Sequence, residues 1–171
     1  KYRNLRIFMM KKNKGTYITS NTLIGLTNNE NIIRFDSDDI MMTNMVAEIM
    51  QNVNNYNVIR FKYLKLVGSQ VRIWNHVPHG VIYIKNSTFK MLGGYQPWMC
   101  AADTELLRRG KSFIKELIID KPLFYRRMRE NSLTASPEFG VNSEIRKNYR
   151  RLIGKHDEIK IKKTIGRYVE C

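Results

Sequence analysis

The sequence predicts an α/β domain with a mostly parallel sheet flanked by helices. Short apolar runs typical of strands alternate with segments whose apolar residues have helical spacing, and no internal repeat interrupts this alternation. A length of 171 residues with 43% hydrophobic residues is enough for one core and short for two. This composition excludes a disordered tail and a fibrous repeat.

The first half of the chain is predicted to begin with a buried strand, because residues 4–10 are apolar and β-leaning. A short helix follows at 16–26, and a second strand at 31–35 leads directly into an acidic cluster. A helix is predicted next at 43–51, since its apolar residues recur at helical spacing.

The second half continues the alternation. Apolar and basic residues alternate at 58–67, which is typical of a half-exposed strand or a hairpin arm, and Gly93-Gly94 ends a helix that starts at Asn86. The other elements predicted there are strands at 80–85 and 113–119 and helices at 101–109 and 142–168.

The chain is strongly basic, with 30 Lys and Arg residues against 15 Asp and Glu residues and a formal net charge of +15. Such an excess attracts polyanions, namely nucleic acid, an anionic membrane face or a phosphorylated small molecule. Many of the basic residues lie in a predicted helical tail at 142–171. Such a basic segment most often forms a solvated surface. The more specific alternative is a surface that binds anionic lipid or an acidic partner.

The cellular compartment is expected to be the cytoplasm. Cys100 and Cys171 are too few for a disulfide scaffold, which favours a reducing environment. No apolar run approaches the roughly 20 residues that span a bilayer, and no signal peptide opens the sequence. The basic tail leaves a peripheral position at the membrane as an alternative.

Three carboxylates, those of Asp36, Asp38 and Asp39, follow directly on a predicted strand. Carboxylates this close repel one another unless a cation neutralises them, and Mg²⁺ or Mn²⁺ does so while leaving positions for phosphate oxygens. The alternative is a solvated turn that caps the next helix. The position at a strand end, where α/β sheets place ligands, favours the metal.

Several motifs together resemble the family 2 glycosyltransferases with the GT-A fold. That family has an N-x-G, an A-R-N and a strand ending F-x-D-S-D-D, followed by G-G-[FY], an E-D pair and a segment with E-N-S. The matching blocks of this chain, in the family's order, are KNKG at 12–15, Asn21, IIRFDSDDIM at 32–41, GVIYIK at 80–85, MLGGY at 91–95, AADTELLRR at 101–109 and YRRMRENSLT at 125–134.

The resemblance implies a GT-A-like, Rossmann-like domain at 1–141, truncated at its N-terminus relative to the family, with the basic tail after it. It also implies an inverting transfer of a sugar from a UDP-sugar to a hydroxyl of a glycan, lipid or protein acceptor. A missing N-terminal segment or pairing with a second copy is expected to cover the sheet edge.

The donor site implied by the resemblance centres on the acidic cluster. Asp36 and Asp38 are expected to hold Mn²⁺ or Mg²⁺ on the donor diphosphate, with Asp39 behind the metal or on the sugar. The donor-binding residues expected by the same resemblance are Asn13, Gly15, Asn21, Asp36, Ser37, Asp38, Arg126 and Arg129.

The acceptor side is expected around Asp103, which matches the general base of the family. The alternative is that Asp103 only stabilises the N-terminus of a helix, where the helix dipole favours an acidic residue. Gly93 and Gly94 are expected to let the backbone lie close to the substrates. Trp98 is expected either to stack on an acceptor sugar or to pack in the core. Glu105 is expected either to orient a sugar hydroxyl or to pair with a nearby arginine at helical spacing.

The chain departs from the family pattern at three positions. Ser20 stands where the A-R-N motif has Arg, Ala102 stands where the E-D pair has Glu, and Arg129 stands where the family often has a His. Two other functions remain open: a basic nucleic-acid-binding domain, supported by aromatics among basic residues at 60–63, and a non-catalytic GT-A scaffold.

Overall fold

A computed structural model of the chain describes residues 4–130 and 132–155. It contains five helices and six strands in these residues. The helices are α1 (Thr16–Gly25), α2 (Met45–Met50), α3 (Asn86–Met91), α4 (Ala102–Arg109) and α5 (Glu144–Lys155), and the strands are β1 (Asn31–Arg34), β2 (Ile40–Met41), β3 (Val58–Val67), β4 (Gln70–Trp74), β5 (Ile82–Lys85) and β6 (Glu116–Arg127). None of these helices has both the length and the hydropathy that a membrane span requires.

The strands form one sheet in the order β1-β5-β3-β6-β2, with β4 paired to β3. Only β3 and β6 run parallel, and all the other pairs are antiparallel. The α/β class is therefore confirmed, whereas the prediction of a mostly parallel sheet is wrong for the described residues. One cause is the tight turn at Gly68, whose φ of 57° reverses the chain directly from β3 into β4.

The core lies on both faces of this sheet. On one face α2 packs through Met45 and Ile49, and on the other face α1, α3 and α4 pack together. Strand β5 serves both faces, because Tyr83 points to the first cluster while Ile82 and Ile84 point to the second. The sheet is thus flanked by helices, as predicted.

The segment 4–10, predicted to be a buried strand, is not a strand in the structure. Leu5, Ile7 and Met9 are 62%, 77% and 92% exposed. A strand is stable only when its backbone groups pair with a neighbour, and the described residues offer this segment no ladder partner. That a missing N-terminal segment or a second copy of the chain covers the sheet edge remains a prediction.

Strand β6 is longer than predicted and continues to Arg127. This continuation includes Pro122, which cannot donate a hydrogen bond to the ladder. The structure accommodates it with register shifts opposite Phe61 and Lys62. The extension brings the arginines at 126–129 to the acidic cluster, because the turn after β1 leads into β2, which pairs with β6 at Ile40 and Tyr125.

Candidate functional site

The acidic cluster forms a tight turn at the end of β1. The amide of Asp39 donates to the carbonyl of Asp36 at 3.2 Å, and Ser37 lies exposed at the tip. The carboxylate of Asp39 accepts from the backbone amide of Arg127 at 3.0 Å. This contact fixes the turn against the end of β6.

Each of the other two carboxylates in the turn pairs with an arginine. Asp36 lies 2.8 Å from the guanidinium of Arg34, and Asp38 contacts the guanidinium of Arg129. Burial raises the pKa of Asp39 to about 6, and the charges of Asp36 and Asp38 add to this shift while the Arg127 amide opposes it. The turn therefore concentrates negative charge, and Arg34 and Arg129 offset part of it.

Arg34 connects this turn to the rest of the site. Its Nη1 donates to the carbonyl of Gly80 at 2.6 Å, and its Nη2 donates to the hydroxyl of Thr16 at 2.9 Å. A side chain at Gly80 would meet Arg34 at 3.2 Å and the Oδ2 of Asp103 at 3.4 Å. The absence of a side chain at Gly80 thus lets the end of β1 and the start of α4 approach each other.

Asp103 lies in the first turn of α4, at the position the sequence predicts for it. Its Oδ1 accepts from the amide of Thr104 at 2.8 Å, and its charge acts on the hydroxyl of Tyr17. Burial, and after it the Asp103 charge, raises the pKa of Tyr17, so this phenol stays protonated as a donor. Asp103 is half-buried and remains open to solvent on one side.

Tyr95 contributes an unusual group to the same region. Its side chain is 1% exposed, and its hydroxyl has no hydrogen-bond partner within the described residues. Burial raises the pKa of Tyr95, and the charges of Arg34, Asp103 and Asp36 act on the same hydroxyl. A buried hydroxyl without a partner is costly, and it marks a position where a ligand oxygen would be stabilised.

The loop with Gly93 and Gly94 lies directly above Asn21. The amide of Asn21 donates to the carbonyl of Tyr95 and accepts from its backbone N–H, both at 2.9 Å. Asn21 therefore holds the loop in place rather than facing open solvent. Asn13 has a similar local task, because its side chain accepts from the amide of Gly15 at the start of α1.

The two loop glycines allow a graded test of this geometry. Gly93 has a φ of 74° in open space, so Gly93→Ala should cost about 1–2 kcal/mol of unfolding free energy. Gly94→Ala should cost more, because its φ is 71° and the new methyl would lie 2.9 Å from the Asn21 carbonyl oxygen. Gly25→Ala, where no atom lies within 4 Å, is the control and should stabilise by up to about 1 kcal/mol. Chemical denaturation would measure all three, and equal effects at Gly25 and Gly94 would contradict this description of the loop.

Glu105 is buried, with 1% of its surface exposed, and it does not face the site. Its oxygens accept from the Nε and Nη2 of Arg109 at 2.7 and 2.9 Å. Arg109 also donates to the carbonyls of Leu92 and Gly94. The predicted pairing with an arginine at helical spacing is confirmed, and the pair supports the glycine loop from beneath, so contact of Glu105 with an acceptor does not fit the structure.

Trp98 stacks on Tyr149 of α5, with ring centroids 4.5 Å apart and planes 6° apart. One face of the indole is therefore covered by the first turns of the predicted tail. Helix α5 is further anchored by the buried side chain of Ile153 and by Arg146, which donates to the carbonyl of Phe139. The part of the tail at 142–155 thus packs on the domain, and residues 156–171 lie outside the described residues.

A cleft of about 320 Å³ opens beside Thr104, the residue that follows Asp103 in α4. It begins at His79, whose Nδ1 lies 2.8 Å from the hydroxyl of Thr104, and it continues along α4 past Arg108 and Lys111. Burial lowers the pKa of His79, and Arg60 adds to this effect, which favours a neutral imidazole. The volume falls within the range of small-molecule sites.

The three carboxylates of the turn do not fit a metal centre in this arrangement. Within residues 4–130 and 132–155, no group of three His, Cys, Asp or Glu side chains is placed to hold an ion. The cause is the pairing of Asp36 with Arg34 and of Asp38 with Arg129, which directs the two carboxylates to different partners. We therefore derive no chemical step through Mn²⁺ or Mg²⁺.

The structure brings together Asp36, Asp38, Arg126, Arg129 and Asp103, which sequence motifs indicated, and adds Arg34, Tyr17 and Tyr95, which they did not. The position of Arg34 two residues before Asp36 was the available signal, since an arginine inside an apolar strand needs a buried partner. No family model matches the chain, and no curated protein matches it significantly.

Proposed function

We propose that this protein transfers a sugar from a nucleotide diphosphate donor, with UDP as the expected nucleotide, to an acceptor hydroxyl with inversion. The observation that carries this proposal is the approach of two acidic elements across Gly80. The turn of Asp36 ends one strand, Asp103 begins α4, and Arg34 lies between them. A phosphate-binding turn and a separate carboxylate are the parts that such a transfer needs.

The donor diphosphate is expected beside the turn, where the arginines at 126–129 supply positive charge. As the bond from the sugar to the diphosphate breaks, negative charge grows on the departing phosphate oxygen, and the arginines stabilise it. Asp103 accepts the proton of the acceptor hydroxyl while the hydroxyl oxygen attacks the anomeric carbon from the opposite face. The protonated hydroxyl of Tyr17 is a candidate hydrogen-bond donor to the Asp103 carboxylate.

The resemblance to family 2 glycosyltransferases supports the same function through motifs that lie far apart in sequence. Arg34, which pairs with Asp36, and Asp103 both lie beside Gly80, and their charges act on Tyr95 next to the glycine loop. The cleft beside His79 and Thr104 is a candidate for the acceptor, and Arg108 and Lys111 favour an acceptor with negative charge.

A second candidate is binding of single-stranded nucleic acid on the β3–β4 hairpin. The ammonium of Lys65 lies 3.1 Å from the ring centroid of Trp74, and Arg126 lies over Tyr63 at 5.6 Å, so basic and aromatic groups alternate there. Proteins that bind single strands combine such groups. Salt-dependent binding of an oligonucleotide without any response to UDP would favour this candidate.

The proposed function is tested by thermal unfolding with UDP, with and without Mn²⁺. We expect UDP to raise the melting temperature, because a ligand that binds the native state stabilises it by about 2.7 kcal/mol at a hundredfold excess over its dissociation constant. Uridine, which lacks the diphosphate, is the control and should have little effect.

Release of UDP from UDP-glucose, UDP-galactose and UDP-N-acetylglucosamine would then identify the donor and separate an enzyme from a non-catalytic scaffold. Absence of any stabilisation by nucleoside diphosphates under both conditions would contradict the proposal.

A further inference from the structure

Arginines offset the negative charge of the aspartates in the acidic turn. The carboxylates of Asp36 and Asp38 pair with Arg34 and Arg129, the charge of Arg126 acts on Asp39, and Arg127 donates its backbone amide to Asp39. A site built for a divalent ion keeps carboxylates unpaired so that the ion supplies the positive charge. Here arginines already supply it.

Arg129 is the best placed of these arginines for a further ligand. It contacts Asp38 through Nη2, and its side chain is 56% exposed. A guanidinium has five N–H donors in a planar fork, so one contact leaves most of them available. Phosphate oxygens match this fork bidentately.

The unpaired hydroxyl of Tyr95 is an independent sign that the same region takes a ligand oxygen. It is buried, and the charges of Arg34 and Asp36 act on it. Arg34, whose charge acts on this hydroxyl, pairs with Asp36 in the same turn in which Asp38 contacts Arg129. A diphosphate has oxygens along its whole length and can supply such a ligand oxygen.

We propose that the arginines at the end of β6, Arg129 foremost, hold the donor diphosphate in place of a divalent cation, so that UDP binding requires no metal. This inference rests on the proposed function and specifies how its donor site works. The D-x-D pattern predicts a metal at Asp36 and Asp38, but the structure pairs both carboxylates with arginines. This inference follows from that disagreement. Asp38 acts here as a positioning residue that orients Arg129 in the absence of donor.

The experiment is calorimetric titration of the folded protein with UDP, in excess EDTA and in excess Mn²⁺. We expect similar affinities under the two conditions. In EDTA, Arg129→Ala should weaken binding roughly 10- to 100-fold, because it removes charge-assisted hydrogen bonds. Arg129→Lys should recover part of this loss, since it keeps the charge without the fork.

Two further variants sharpen the test. Asp38→Ala should raise UDP affinity in EDTA, because it frees Arg129 and removes a charge that repels the diphosphate, whereas a metal ligand at this position would make the same variant lose Mn²⁺-enhanced affinity. Arg151→Ala, an exposed arginine on α5, is the matched control and should leave UDP affinity unchanged. Thermal unfolding of each variant verifies that it is folded.

The outcomes separate this inference from the proposed function. UDP binding that appears only with Mn²⁺, or that survives Arg129→Ala in EDTA, overturns the role of the arginines and leaves the glycosyltransferase proposal in place. No binding of UDP under either condition overturns both.

Discussion

Asp103→Asn should lower the rate of sugar transfer by a factor of roughly 10² or more, because proton removal by a positioned base contributes that much to such reactions. The fold should be retained, since an amide oxygen still accepts from the Thr104 amide. The affinity for UDP should also be retained, because the proposed diphosphate site lies at the acidic turn, and Arg34 and Gly80 lie between that turn and Asp103. UDP release from the identified UDP-sugar, measured at saturating donor, reports the effect.

Asp120→Asn is the matched control for this experiment. Its carboxylate is 81% exposed and pairs with Lys62 on the sheet, away from α4. The same chemical change there should leave turnover and UDP affinity at their original values. Unchanged turnover in Asp103→Asn would assign the base to another residue, and a parallel loss in both variants would point to a general effect of charge.

Glu105→Gln should lower the free energy of unfolding by about 3–5 kcal/mol, because it leaves the buried guanidinium of Arg109 without its countercharge. The side chains of both residues are buried, so water compensates little of the loss. Chemical denaturation of the purified protein measures this change. Glu144→Gln removes the exposed partner of Lys147 on α5 and is the control, which should not shift the midpoint.

The double variant Glu105→Leu with Arg109→Met separates the charge from the packing. If the buried charge dominates the cost, this variant should lose less stability than the sum of the two single changes, since no charge is left uncompensated. Some loss should persist, because Arg109 also donates to the carbonyls of Leu92 and Gly94. A midpoint for Glu105→Gln equal to that of Glu144→Gln would contradict the importance of the pair.

The elements that sequence periodicity defines were predicted well. Helix α1, strand β3 and helix α4 lie within a residue or so of their expected bounds, because each carries its own apolar pattern. The i,i+4 spacing also revealed that Glu105 could pair with an arginine. It did not reveal that this pair is buried, since burial depends on α4 packing against the sheet.

The predictions that were wrong concern features that depend on contacts between residues far apart in the sequence. The segment 4–10 has a strand-like composition, but a strand exists only with a partner, and composition does not specify one. The direction of the strand pairs depends on how the chain crosses the sheet. The pairing of Asp38 with Arg129 follows from the register of β2 on β6, which no local pattern near Asp38 encodes.

The parallel pairing of β3 with β6 has a consequence for how the chain folds. Arg60 and Glu116, which join these strands, are 56 residues apart, and Asp38 and Arg129 are 91 residues apart. Closing loops of this length costs entropy before any contact compensates for it, so domains with such topology fold slowly. Local hairpins such as β3–β4 form early in such a process, whereas Asp38 acquires Arg129 only when the long-range pairing of β2 with β6 is complete. A partly folded chain would therefore expose Asp38 and Asp39 without the contacts that β6 supplies, while Asp36 still has Arg34 two residues away.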